Sequence, residues 1–152
     1  MKSISQIREK VLSGKRKTIA VAAADDMPVL EAIKDAIDDN LADAALIGNK
    51  ARIEEMAAQL GINMDRVEII DEPDVVAAAE KAVALVKDGK AHVLMKGLLK
   101  TPTLLKAVLD KEKGLRTGGE LSHVGVFEIP GLDRLLVVSD PAMHILPSLE
   151  EK

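Results

Sequence analysis

The chain has 152 residues, a net charge of −4 and no cysteine, with 47% hydrophobic and 30% charged residues. This balance is typical of one globular domain, and the absence of cysteine excludes disulfides, thiolate metal sites and a cysteine nucleophile. The acidic charge and the single aromatic residue, Phe127, argue against a nucleic-acid partner bound through a basic surface or by base stacking.

The N-terminal residues predict a short helix followed by a buried strand. Ser3 and Gln6 have the spacing of a capping box, and apolar residues recur at helical spacing through Val11. Residues 18–23 then form an apolar run. The longest uncharged apolar stretch here, residues 19–24, is far short of the roughly 20 residues needed to cross a bilayer, and nothing resembles a signal peptide. We therefore expect a cytoplasmic protein without membrane contact.

Strand and helix patterns alternate through the middle of the chain. Short runs rich in valine, isoleucine and alanine predict strands at 18–23, 44–47, 67–70 and 92–95. The segments between them carry apolar residues three or four positions apart, as helices do. The predicted helix ends are marked by Asn49 and Gly61, by Pro73 and Gly89, and by Thr101 as a cap before Pro102. This alternation is typical of a three-layer α/β/α, Rossmann-like fold with a mostly parallel sheet.

The C-terminal part departs from this alternation. Residues 122–129 and 134–139 have strand patterns separated by a tight turn at 130–133, so an antiparallel hairpin is expected to complete a mixed sheet. No linker or repeat interrupts the sequence, and we expect residues 1–152 to form a single α/β domain. Residues 148–151 have the pattern of a helix cap and first turn, which we interpret as the start of a helix in a truncated chain; a frayed C-terminus is the alternative.

Ligands of open α/β sheets bind beyond the carboxyl ends of the strands. That rule selects residues 25–26, 96–101 and 139–140. In the second segment Lys96 follows a strand directly, Gly97 allows a close backbone approach, and Thr101 begins a helix whose N–H groups can hold an anion. Lys100 adds a second ammonium group for phosphate. An ordinary strand–turn–helix connection with solvated lysines is the alternative, and no Walker A loop or GxGxxG motif is present.

Basic residues continue along the chain after this segment, at Lys106, Lys111, Lys113 and Arg116. This local cluster contrasts with the acidic balance of the whole chain. It forms either a solvated helix face or a groove for a phosphorylated ligand with a nucleotide end, and the glycine-containing stretch 117–119 suits both.

The histidines and three aspartates can each be explained by a structural role as well as by a role in a site. The histidines lack metal-ligand spacing, and His92 is expected in the core and His123 at the start of a strand. Asp25 and Asp26 are expected to cap the following helix, with a catalytic carboxylate pair as the alternative. Asp140 is a turn residue by composition, but it lies where the fold places a site.

Similarity to a known family is concentrated in residues 93–98, 101–109, 110–118, 121–128, 133–136 and 139–143. In these stretches the chain resembles the phosphate acetyl/butyryltransferase family, and its butyryl-transferring members most of all. The resemblance covers essentially the whole chain but only about half of a family member. It implies the N-terminal one of two α/β/α subdomains that flank a cleft.

The resemblance implies transfer of an acyl group from acyl-CoA to phosphate, giving acyl phosphate and free CoA, with butyryl or another short chain as the acyl group. Such a reaction needs phosphate held beside the thioester carbonyl and charge stabilisation at the carbonyl oxygen. CoA is then a substrate, and no tightly bound cofactor or metal is expected. The implied partners are acyl-CoA, inorganic phosphate and further copies of the chain in a homodimer or higher oligomer.

By position, the resemblance implies substrate-binding roles for Lys96, Gly97, Thr101, Lys106, Arg116 and Thr117, with Asp140 as a candidate catalytic residue. Lys106 stands where related acetyltransferases carry an arginine that contacts CoA, and lysine lacks the bidentate fork of arginine. The family's Ser-Arg pair and nearby Asp lie in its C-terminal half, to which nothing here corresponds. A non-catalytic CoA- or phosphate-binding module, or a half enzyme that depends on a partner, is therefore the alternative function.

Overall fold

The computed structural model describes residues 2–118 and 121–139. The chain divides into two units: unit 1 comprises residues 1–13 and 118–152, and unit 2 comprises residues 14–117. The helices are α1 (Ile4–Leu12), α2 (Met27–Asp38), α3 (Lys50–Leu60), α4 (Val75–Lys87) and α5 (Thr101–Val108), with a short 3₁₀ turn at Met64–Arg66. The strands are β1 (Lys17–Ala22), β2 (Ala42–Gly48), β3 (Val67–Asp71), β4 (Val93–Lys96), β5 (Val124–Glu128) and β6 (Leu135–Ser139). The loop and helix turn predicted after residue 140 lie outside the described residues.

Unit 2 is built on a parallel sheet in the order β3-β2-β1-β4. In the registers, Lys17 pairs with Ala42, Ala44 with Val67, and Ile19 with Val93. The predicted strands are confirmed, each end lying within two residues of its predicted position. The order means that the chain moves outward from β1 through β2 to β3 and then returns to the other side of β1, so β1 and β4 flank a topological switch point.

Helices cover both faces of this sheet. On one face α2 and α3 place Leu30, Ile33 and Ile53 over Val21 and Leu46. On the other face lie α4, with its small side chains Ala78, Ala79 and Ala82, and the partly buried apolar residues of α5. Both faces of β1 and β2 are therefore buried, as expected for parallel strands that read as continuous apolar runs. The predicted three-layer α/β/α fold is confirmed.

The helix ends agree with the sequence in some places and differ in others. The Asn49 side chain accepts a hydrogen bond from Arg52 N at 3.1 Å, and Gly61 ends α3 in the left-handed conformation, with φ 67°, as predicted. The placement of Pro73 in the first turn of α4 is wrong, because Asp74 is the N-cap and accepts from two backbone N–H groups. Thr101 is the first residue of α5 and not its cap; that position belongs to Lys100.

Arg66 joins the end of α2 to the start of β2. Its guanidinium donates to Ile37 O at 2.8 Å and Ala42 O at 3.0 Å, and to the side chains of Asp43 at 2.8 Å and Asn40 at 2.9 Å. The Arg66 side chain is 14% exposed. Two of these four bonds go to backbone carbonyls, and Ile37 O also accepts from Asn40 N at 3.0 Å, so Arg66 ties the backbone of the turn to two polar side chains.

Unit 1 combines α1 with the antiparallel β5–β6 hairpin. Val126 pairs with Val137 and Phe127 with Leu136, and the turn is closed by Leu132 N donating to Ile129 O at 3.0 Å. The predicted hairpin is confirmed, but the mixed sheet is wrong: within the described residues β5 and β6 form a two-stranded sheet of their own. Turn composition fixes which strands pair with each other, and it carries no information on whether a third strand lies beside them.

Two further expectations about polar residues are corrected. Ser3 Oγ accepts from Gln6 N at 3.3 Å, but the Gln6 side chain accepts from Lys2 N and not from the Ser3 backbone, so only half of the capping box forms. His92 is exposed rather than in the core. Its ring Nδ1 accepts from Thr18 N at 3.2 Å at the amino end of the sheet, far from the carboxyl edge where the fold places ligands.

Candidate functional site

The switch point between β1 and β4 positions the candidate site. The chain leaves β1 toward α2 on one face of the sheet and leaves β4 toward α5 on the other. Because the two connections diverge at the same carboxyl edge, they define the crevice in which sheets of this kind bind ligands. The segment 96–101, selected from the sequence, forms one wall of it.

Backbone pairing holds the two connections together below the crevice. Gly97 N donates to Ala22 O and Leu98 N to Ala23 O, both at 2.8 Å. A Cβ atom on Gly97 would lie 2.0 Å from Ala23 O, so the position excludes every side chain. Gly97 therefore permits the close backbone approach predicted for it, and the backbone that approaches is the protein's own strand β1.

The Lys96 side chain folds back over its own loop. Its ammonium group donates to Gly97 O at 3.2 Å and to Leu99 O at 3.0 Å. An ammonium group has three donors, so one remains for an external acceptor. Lys100 is exposed and follows immediately, at the N-cap of α5. Two cations thus stand at the entrance to α5.

The helix N-termini differ in whether a side chain caps them, and the uncapped ones lie at the carboxyl edge of the sheet. Side chains cap α1, α3 and α4, whereas α2 and α5 have no side-chain cap among the described residues. These two are the helices that start from the switch point. An uncapped N-terminus leaves N–H groups and about half a positive charge available to an anion.

The two uncapped ends differ in charge. Beside α2, Asp25 Oδ2 lies 3.1 Å from Arg52 Nη1, and the Asp25 side chain is 18% exposed. A Cβ atom on Gly48 would lie 2.7 Å from the other Asp25 oxygen. Asp26 is the N-cap residue of α2, as predicted, but its side chain makes no capping hydrogen bond, and Asp25 pairs with Arg52 instead. With carboxylates at α2 and ammonium groups at α5, an anion is favoured at the α5 end.

Arg52 was not singled out from the sequence, although a signal for it exists. It lies in the first turn of the helix that follows β2, so the carboxyl-edge rule applies to it as much as to the segments after β1 and β4. Its pairing with Asp25 connects two different βα connections, which local sequence patterns do not reveal.

The remaining candidates lie elsewhere. Lys106 lines a groove between α4 and α5, together with Lys87, Asp110 and Lys111, and none of Lys96, Gly97 or Thr101 lines that groove. Arg116 and Thr117 are exposed in the segment that follows α5, and Asp140 is outside the described residues. Among the described candidates, Lys96, Gly97 and Thr101 therefore lie together at the start of α5, whereas Lys106 lines the groove between α4 and α5.

Asp110 shapes the end of the α4–α5 groove. Its carboxylate accepts from Lys113 N at 2.7 Å and Glu112 N at 2.9 Å. These two backbone donors, with Lys113 first, hold the pKa of Asp110 below its ordinary value. The loop that they fix continues into Gly114, where a Cβ would lie 2.4 Å from Val108 O.

Metal binding and membrane insertion find no support in the described residues. Within 2–118 and 121–139, no three acidic, histidine or cysteine side chains are grouped as a metal site would require. No helix in the same ranges combines the length and apolar character of a membrane span.

The fold and the site define a class: an α/β protein with a positively charged helix end at the switch point of a parallel sheet. Residues 3–80 and 72–152 match the family model for phosphate acetyl/butaryl transferase. The chain therefore belongs to this family, which confirms the resemblance seen in the sequence.

Individual relatives agree with the family match. The chain is 49% identical over 152 residues to a phosphate butyryltransferase of Clostridium acetobutylicum, covering 100% of this chain and 50% of that protein. It is 41% identical to a phosphate acetyltransferase of Thermotoga maritima over 91% of this chain and 47% of that protein. A branched-chain phosphotransacylase from Enterococcus faecalis V583 superposes with a TM-score of 0.74 at 26% identity, covering 89% of this chain and 46% of its own. The chain thus spans about half the length of the curated relatives it matches.

Proposed function

We propose that this chain supplies the N-terminal half of an enzyme that transfers a short acyl group, such as butyryl, between CoA and inorganic phosphate. The observation that carries the proposal is the uncapped N-terminus of α5 with Lys96 and Lys100 beside it, at the switch point of the sheet. Membership of the family and relatives named for phosphate butyryl and acetyl transfer support it.

The proposed reaction joins a phosphate oxygen to the thioester carbonyl carbon and breaks the carbon–sulfur bond, and CoA leaves as a thiolate that takes up a proton. Phosphate must therefore be held close to the carbonyl, and negative charge on the carbonyl oxygen and sulfur must be stabilised. Two negatively charged reactants meet in this step, so cations at the site lower the cost of bringing them together.

The donors left free at the site identify the phosphate position in this proposal. The N–H groups of Gly97, Leu98 and Leu99 are already bonded to Ala22 O, Ala23 O and Gly97 O, so they are taken. The remaining donors of the described segment are the third N–H of Lys96, the backbone N–H and ammonium group of Lys100, and the backbone N–H and hydroxyl of Thr101. We place the phosphate there.

The other expected contacts remain part of the proposal. Lys106 binds the phosphate groups of CoA as a point charge, since lysine cannot form a bidentate pair. Arg116 and Thr117 contact substrate from their exposed segment, and Asp140 is retained as a candidate catalytic residue. CoA acts as a substrate without a tightly bound cofactor, and the enzyme is a cytoplasmic homodimer or higher oligomer.

A second candidate function is favoured by the length of the match. Because the chain spans half of its relatives, the chain alone is expected to bind CoA or phosphate without turnover. In that case it is a binding module whose catalysis depends on a second half.

The test compares the chain alone with the same chain joined to the second half of the Clostridium acetobutylicum relative, called here the joined protein. Both receive butyryl-CoA with and without phosphate, and free CoA is followed with a thiol-reactive dye, for which this chain adds no background because it lacks cysteine. The proposal predicts phosphate-dependent release by the joined protein and none by the chain alone. A folded joined protein that binds CoA but releases none would support the module and contradict the enzyme.

A further inference from the structure

The described residues of unit 1 have no interior. None of residues 2–13, 118 or 121–139 is buried. A two-stranded hairpin is at best marginally stable in water without a layer packed on it, and α1 reaches the hairpin through polar contacts, with Ile4 N donating to Glu128 at 2.9 Å and Lys2 paired with Asp133 at 3.1 Å. The hairpin therefore needs further cover.

Both faces of the hairpin carry exposed apolar side chains. In the register, Val124, Val126 and Val137 lie on one face, the valine face, and are 58%, 43% and 61% exposed. On the opposite face, Phe127 and its partner Leu136 are 49% and 42% exposed. Apolar residues on both faces are the pattern of a strand pair buried between two layers and not of one with a solvated side. A contiguous apolar patch of this kind marks an interaction site.

The hairpin also presents hydrogen-bonding edges. Within the described residues β5 pairs only with β6, so each strand has an outer edge on which another strand can add. A covering segment that supplies strands would pair the free N–H and C=O groups of these edges and could bury the valine face at the same time.

The comparisons point to the source of that segment. The chain matches the N-terminal half of relatives that are twice as long, so in those relatives more chain follows the hairpin. Elements consecutive in sequence are usually neighbours in space, and a segment tethered beside the hairpin has a high effective concentration there. A second copy of this chain, placing its valine face on this one, would leave Phe127 and Leu136 uncovered.

We infer that the β5–β6 hairpin is the docking surface for the second half of the enzyme, which adds strands to its edges and covers both its valine face and the face with Phe127 and Leu136. The inference rests on the proposed function for the existence of that half, and its readout is independent of catalysis.

The experiment measures amide hydrogen exchange of residues 124–128 and 135–139 in the chain alone and in the joined protein. Docking predicts exchange at least 10-fold slower in the joined protein. Val126→Asp and Val137→Asp remove most of that slowing, and Val126→Thr, which keeps the branched shape and strand propensity, removes part of it. Met64→Asp, at an apolar residue of unit 2 that is 40% exposed, leaves it unchanged.

Three results would overturn the inference: equal exchange in both proteins, slowing that survives the aspartate variants, or a chain alone that sediments as a dimer with its hairpin already protected. The last result would make a second copy the occupant. A joined protein with a protected hairpin and no release of CoA would contradict the proposed function and leave the docking surface standing.

Discussion

Replacing Arg66 by alanine tests the account of what holds unit 2 together. The change removes four hydrogen bonds, two of them to Ile37 O and Ala42 O, in residues that are 3% and 6% exposed. A hydrogen bond from a charged donor contributes about 1.5 to 3 kcal/mol, and the loss is smaller at Ile37 O, which keeps the bond from Asn40 N at 3.0 Å. Asp43 contributes less, because it is 36% exposed and keeps Arg16 at 3.6 Å. We expect the free energy of unfolding to fall by about 3 kcal/mol.

The assay is urea unfolding followed by circular dichroism, since the chain has no tryptophan for fluorescence. Arg66→Lys retains the charge but reaches fewer of the four acceptors, so it should lose about half as much. Lys15→Ala, at an exposed position, is the control and should change stability by less than about 0.5 kcal/mol. A loss below about 1 kcal/mol for Arg66→Ala, with an unchanged dependence on urea, would refute the reasoning.

Two further substitutions have defined outcomes. Gly97→Ala places a Cβ 2.0 Å from Ala23 O and must separate two paired backbones, so it should lower the free energy of unfolding by more than about 2 kcal/mol. The control is Gly61→Ala, whose Cβ has no neighbour within 4 Å and whose cost of about 1 kcal/mol comes only from the positive φ of 67°. Equal losses of stability for the two variants in thermal melts would contradict the close approach at Gly97. For Asp110, the lowered pKa means that the unfolded state binds the proton more tightly, so its contribution is present above the ordinary value of 3.8 and is lost as the pH falls through the folded value. The difference in urea midpoint between the native chain and Asp110→Asn should therefore be full at about pH 5 and shrink as the pH falls below 3.8. A difference that stays constant would show that the carboxylate charge is not what stabilises the loop.

Most strands and helix ends of unit 2 can be predicted from the sequence, because the patterns that mark them lie within a few residues of each other. The apolar runs of β1 and β2 have both faces buried, so they stand out without any knowledge of their partners. Asn49 and Gly61 mark the ends of α3 through bonds made within a few residues. The carboxyl-edge rule selects Lys96, Gly97 and Thr101 from the sequence alone, because parallel strands bring their carboxyl ends to one edge of the sheet.

The parts that were missed depend on contacts between distant segments. His92 lies in an apolar pattern, but it precedes β4, an edge strand of the described sheet whose first residue, Val93, is also exposed. The Asp25–Arg52 pair joins two separate connections. The hydrogen bond from the Lys96 ammonium group to Leu99 O depends on the path of the loop, which the spacing of residue types does not predict.

The central claim is that phosphate is held at the N-terminus of α5, and the most direct test is the KM for phosphate of the joined protein with Lys100→Ala. Loss of one charge-assisted contact of about 1.5 to 3 kcal/mol corresponds to a KM raised by roughly 10-fold or more, while Lys90→Ala, at an exposed lysine beyond the other end of the sheet, should leave the KM unchanged. An unchanged phosphate KM in Lys100→Ala, with turnover intact, would contradict the claim and place the phosphate elsewhere.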